Sequence, residues 1–122
     1  MRRGESFHVH NCKLIRVVDP PYGTTYIHSC RMDLYEELAH RMEELGTTEA
    51  GFTLETLIAH EHEHHGRAIR IPVSQAAVAL AFLKERGVVT TFRRRCYAEA
   101  GCHLDAMTEY HALRAEAGHA RT

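Results

Sequence analysis

Ser74-Gln75-Ala76-Ala77-Val78-Ala79-Leu80-Ala81-Phe82-Leu83-Lys84-Glu85-Arg86-Gly87-Val88-Val89 is the stretch on which the fold of this chain turns. From Ala76 to Leu83 it carries no polar side chain. A helix that is apolar all round is normally buried all round, so this segment reads as a packed scaffold helix. The spacing predicts a helix from Ser74 to Arg86, opened by Pro72 or Ser74. Lys84 and Arg86 fall in its last turn, where cations complement the helix dipole, and Gly87 follows as the residue that leaves the helix. Val88-Val89-Thr90-Thr91-Phe92 then reads as a strand, Arg93-Arg94-Arg95 as its tip or continuation, and Cys96-Tyr97-Ala98 as the return strand.

Upstream, Thr53 suits the N-cap of a preceding helix, and Phe52 and Leu57 are spaced as a hydrophobic staple across it. That helix is expected to run to about His65 and stop at Gly66, with Arg67 to Ile71 as a connector or short strand. Met32 to Leu45 is amphipathic: Leu34, Leu38, Met42 and Leu45 share one stripe, and Gly46 ends it. Phe7 to Val18 is β-like, Asp19-Pro20-Pro21-Tyr22-Gly23 is a turn signal, and Thr24 to His28 is again β-branched and aromatic, so a hairpin over 7–28 is expected. Downstream, a helix from Cys102 to about Glu116 places Met107, Tyr110 and Leu113 on one stripe with Ala106 beside it, and the tail from Gly118 to Thr122 is expected to be loose. The resulting expectation is one α+β, mainly helical domain: a hairpin over 7–28, a helical core over 32–98 and a C-terminal helix over 102–116.

The chain has 122 residues, enough for a core, and no apolar run long enough to cross a bilayer. Its longest apolar run, Val73 to Leu83, includes Ser74 and Gln75. Met1-Arg2-Arg3-Gly4-Glu5-Ser6 is followed by no apolar stretch, so no secretory signal is expected and the cytoplasm is the default location. Four cysteines (Cys12, Cys30, Cys96, Cys102) are few for a disulfide scaffold, and in a reducing compartment they are thiols or metal ligands. A net charge of −1 gives no global pull toward nucleic acid. Charge is uneven: Arg93-Arg94-Arg95 is a cationic point, whereas Asp33, Glu36, Glu37, Glu43, Glu44, Glu49, Glu55, Glu61 and Glu63 face one arginine, Arg41, over 33–63.

The order helix, helix, helix, strand, basic tip, strand over roughly 32–98 resembles a winged helix-turn-helix domain. Leu83 and Gly87 keep the Leu-x-x-x-Gly spacing with which the third helix of that fold enters its wing, and Thr53 to Leu57 looks like the start of its second helix. The resemblance implies DNA binding through polar side chains of the third helix, and a C-terminal helix suited to dimerisation. This chain departs from the pattern, because only Ser74, Gln75, Lys84, Glu85 and Arg86 on that helix are polar. Base reading is therefore weakened more than phosphate contact, for which Arg93, Arg94 and Arg95 are the candidates, with Gln75 on the helix and Arg67 or Arg70 in support. The plain alternative for the three arginines is a solvated turn. The leading expectation is a small non-enzymatic, winged-helix-like regulatory or nucleic-acid-binding module; a protein-interaction domain without DNA binding is the alternative that the apolar third helix favours.

A second motif competes with it. Ala59-His60-Glu61-His62-Glu63-His64-His65-Gly66 contains His-Glu-x-x-His, and over these eight residues resembles a zincin helix. His60 and His64, four residues apart, would hold zinc, and Glu61 would act as general base on the metal-bound water. Glu85, Glu109 and His111 are the candidates for a third ligand, and a zinc-dependent hydrolase is the corresponding function. The same run also reads as non-catalytic metal binding or as a solvated acidic helix end.

His10-Asn11-Cys12 and His28-Ser29-Cys30 repeat one spacing. With Val18 opposite Thr24, Cys12 would face Cys30 with His10 and His28 beside them, a possible Cys and His zinc site. The alternative is a pair of half-buried cysteines behaving as small hydrophobes. Cys96 and Cys102-His103 read as core or helix-start residues.

Overall fold

The amino-terminal strands alternate between a face that packs and a face that does not. In the computed structural model, residues 4–64 and 71–120 are described, the side chains of 60–64 and 117–120 excepted. Strands β1 (Gly4–His10), β2 (Lys13–Asp19) and β3 (Tyr26–Arg31) form an antiparallel meander in the order β1-β2-β3. Val9, Leu14 and Cys30 lie opposite one another on the buried face, and Val18 continues it.

Two turns, where one was expected, build this sheet. Asn11 and Cys12, with φ of 52° and 59°, make a two-residue turn with both residues left-handed, the geometry that matches the twist of a tight hairpin. The predicted single strand over 7–18 is therefore two strands. The second turn lies at Asp19 to Gly23 as expected, but the loop runs on to Thr25, whose hydroxyl donates to Asp19 Oδ1 at 2.8 Å.

Helix α1 (Met32–Gly46) follows β3 directly and buries Leu34, Tyr35, Leu38, Ala39 and Met42. Phe52 leads into α2 (Leu54–His64), whose N-cap forms as its sequence predicts: the Thr53 hydroxyl accepts from the Thr56 amide at 3.2 Å. The Thr53 amide donates back to the Thr56 hydroxyl at 2.9 Å, a reciprocal cap. Helix α3 (Val73–Glu85) is buried along Ala76, Val78, Ala79, Leu80, Phe82 and Leu83. The Phe82 ring meets Phe7 of β1 with 5.3 Å between centroids and Tyr35 of α1 with 6.1 Å. Burying a side chain of this size contributes about 1.5–3 kcal/mol, so α3 is the joint between sheet and helices. It ends as its sequence predicts, at Gly87 with φ of 76°.

A second, two-stranded sheet follows: β4 (Val89–Phe92) and β5 (Arg95–Ala98), joined through Arg93 and Arg94. Phe52 extends it by one bridge, its amide donating to Cys96 O at 2.9 Å and its carbonyl accepting from the Cys96 amide at 2.7 Å. Helix α4 (Cys102–Ala120) packs back on α1, with the Tyr35 and Tyr110 rings 5.4 Å apart. The fold is thus α+β, but among the described residues five strands in two antiparallel sheets accompany the four helices, so it is not the mainly helical domain expected. The difference is the extra N-terminal strand, created by a turn without glycine or proline. Among the described residues no helix is long and apolar enough to cross a membrane.

Candidate functional site

The four residues of the predicted hairpin zinc site do not meet. Leu14, not Cys12, stands opposite Cys30, because the loop after Asp19 shifts the register by two residues. A two-residue shift keeps each side chain on its face, so Cys30 still points into the core, but Cys12 is carried into the first turn and exposed. Burial pushes the Cys30 thiol up to about 12, the opposite of what a thiolate ligand requires. His10 and His28 are both exposed, but on opposite faces: His28 pairs with Arg16 in the Cys30 row, and His10 pairs with Lys13 in the neighbouring row.

His60, Glu61 and His64 belong to the last turns of α2, and their side chains lie outside the described residues, as do Arg67 and Arg70. Of the candidate third ligands, Glu109 accepts from Arg86 at 3.2 Å, Glu85 lies 3.4 Å from the same guanidinium, and His111 is exposed with its ring edge-on to Tyr110.

Gln75 is not displayed as a reading residue. Its Oε1 accepts from the Arg31 backbone amide at 3.2 Å, tying the first turn of α3 to the end of β3. The sheet covers one side of α3. The opposite face lines an open cleft of about 660 Å³, with Ala77, Leu80, Ala81 and Lys84 from α3, Glu5 and Arg16 from the sheet, and Arg94 from the β4–β5 tip. Arg16 is neutralised there by Glu5 at 2.6 Å.

The three arginines divide into two roles. Arg95 is half-buried, and its Nε donates to the Ala50 carbonyl, anchoring the start of β5, just after the turn, to the loop before α2. Arg93 and Arg94 form the exposed tip, with φ of 50° and 67°. Arg93 lies 5.2 Å from the centroid of the exposed Phe92 ring.

A cluster that sequence reading missed lies between α1 and α4. Glu36 and His40 sit one turn apart on α1, and His103 is the second residue of α4. Nε2 of His103 is 3.2 Å from Glu36 Oε2, and the His40 and His103 rings stack with 3.6 Å between centroids and 13° between planes. Glu43, on the same face of α1, accepts from the His103 backbone amide at 2.9 Å and so caps α4 from outside its own helix. The i, i+4 pair Glu36 and His40 was visible in the sequence, but among nine carboxylates nothing marked it. His103 joins it only by the packing of α4.

Of the stripe on α4, Tyr110 and Leu113 are buried with Ala106 beside them, and Met107 is partly buried. No protein-family model, no curated protein and no solved structure matches this chain.

Proposed function

We propose that this chain is a non-enzymatic, winged-helix-like module that binds duplex DNA by phosphate contact through the tip of its β4–β5 hairpin, not by base reading. The order α1, Phe52 bridge, α2, α3, β4, β5 supports the winged-helix-like reading, since the bridge adds a short third strand between the first two helices to the hairpin sheet. The absence of a reading head follows from α3, whose polar end residue Gln75 is bonded to β3 and whose cleft face shows alanines.

The observation that carries the proposal is conformational. Arg93 and Arg94 both hold positive φ in a two-residue hairpin turn, where Asn-Gly is the favoured pair and a left-handed non-glycine residue costs about 1–2 kcal/mol. Two arginines at such a turn put charge ahead of turn stability, which is what a phosphate-gripping tip requires.

The test is fluorescence anisotropy with a random-sequence duplex over a salt series, on the wild type and on Arg93→Asn/Arg94→Gly. Affinity is expected to fall with salt, and the variant to bind about tenfold more weakly with a salt slope shallower by about two. The variant should be at least as stable as the wild type, which separates lost binding from lost folding. Unchanged affinity in the variant, or binding indifferent to salt, would reject the proposal. A second reading, protein binding at the cleft beside α3, is favoured by that cleft alone. Loss of binding in Ala77→Glu with the arginine variant unaffected would select it.

A further inference from the structure

We infer that Glu36, His40 and His103 form a binding site for a divalent transition-metal ion of the zinc, cobalt or nickel type, which clamps the N-terminus of α4 to α1. The inference is independent of the DNA reading. One ligand atom from each of the three residues lies within 4.8 Å of the others, and no second such group is found among the described residues.

Two imidazoles and a carboxylate are a donor set that borderline divalent ions take, leaving a further position for water. Zinc bonds to imidazole nitrogen and carboxylate oxygen are about 2.0–2.2 Å, so neighbouring ligands on a tetrahedral ion stand roughly 3.4 Å apart. His103 Nε2 and Glu36 Oε2 are already 3.2 Å apart. An ion there replaces the proton that the pair shares, and the backbone does not move. The stacked rings direct their in-plane nitrogen lone pairs along parallel planes, so His40 must rotate about its side-chain torsions to close the third bond. His40 is exposed and has room to do so, whereas His103 is half-buried and Glu43 holds its backbone. The site is thus half-preformed, one arm fixed and one arm swinging. Glu43 lies beside His103, and Glu36 and His40 line an open concavity on α1 with Asp33, where Arg41 already pairs with Glu37 and Glu44, so the cation is held by the three ligands themselves.

The competing ligand is the histidine run, so the test removes it. Tag-free protein carrying His60→Gln, His62→Gln, His64→Gln and His65→Gln is titrated with Co²⁺, read by visible ligand-field absorption, and with Zn²⁺ by competition. One Co²⁺ per chain is expected, with a low-coordinate absorption band. His40→Gln and Glu36→Gln, both surface substitutions, and His103→Gln in the same background should each weaken binding about tenfold or more. At the same Zn²⁺ concentration the Tm of the parent should rise more than that of His40→Gln. Co²⁺ binding that survives both His40→Gln and His103→Gln, or that disappears with the histidine run, overturns the assignment. His40→Gln with an unchanged circular dichroism spectrum keeps the test valid if His103→Gln does not fold.

Discussion

The hydroxyl of Tyr35, on α1, donates to the Ala106 carbonyl, on α4, at 2.6 Å, and both residues are fully buried. This bond joins the C-terminal helix to the core across 71 residues of sequence. Tyr35→Phe keeps the ring packing against Tyr110 and Phe82 and removes only the bond. It is expected to lower stability by about 0.5–1.5 kcal/mol, read as a shift in urea midpoint without a change in m. A loss near zero would show that this bond adds nothing to the other contacts that hold α4.

Gly46 ends α1 but not for the reason its sequence position suggests. A Cβ there would stand 2.6 Å from the Ala98 backbone nitrogen and 2.9 Å from the Ala98 Cβ. Helix propensity alone makes Gly46→Ala favourable by about 1 kcal/mol. The close approach of β5 reverses the sign, and a net loss of about 1–3 kcal/mol is expected from the forced separation. Thermal unfolding of Gly46→Ala distinguishes the two, since a Tm above the wild type would contradict the packing.

Cys12 holds a φ of 59° in the β1–β2 turn, directly after Asn11 at 52°. Cys12→Gly completes the Asn-Gly pair favoured there. It is expected to stabilise the fold by about 0.5–1 kcal/mol after the added freedom of the unfolded chain is subtracted. Because Cys12 and Cys30 are not opposed, the same variant should bind metal as the wild type does. A fall in metal stoichiometry would restore the hairpin zinc site that the register excludes.

Burial raises the Cys30 thiol from its ordinary 9.0 to about 12 and the Cys102 thiol from 9.0 to about 11, and it raises Tyr35 as well. Raised values mean that the folded chain keeps protons that the unfolded chain gives up. The contribution is complete below about pH 9, where both states are protonated, and is lost as pH climbs toward 11 to 12. Stability should therefore fall above pH 9 at up to about 1.4 kcal/mol per pH unit for each such thiol. Urea unfolding at pH 7, 9 and 10.5 measures it. Cys30→Ala should be weaker at pH 7 through its cavity but lose less between pH 9 and 10.5. A variant that declines as steeply as the wild type would show that the drop comes from other groups.

The Asn11-Cys12 turn and the Gly46 approach mark where sequence reading stopped. Periodicity placed α1, α3 and α4 within a residue or two at their starts, and the Thr53 cap and Gly87 exit follow from residue type, because these features depend on neighbours three or four positions away. The β1–β2 turn was invisible because neither Asn11 nor Cys12 is glycine or proline, and a left-handed cysteine is set by the pairing of the strands that flank it. The hairpin register failed with it: turn composition indicated that the chain reverses after Asp19, but not that β3 begins at Tyr26.

What the sequence by itself determined is the set of elements: an apolar helix that must be covered, an arginine-tipped hairpin after it, and an amphipathic helix on either flank. Only the tertiary structure decided what covers that helix, that Gln75 is bonded to β3, that Arg95 anchors while Arg93 and Arg94 are displayed, and that His103 reaches Glu36 across 67 residues. The physical reason is range. Caps, turns and amphipathic stripes are interactions within one helical turn and are written in adjacent residues. The register of a sheet and the docking of one helix end on another depend on burying many apolar side chains at once, and no short motif encodes that sum.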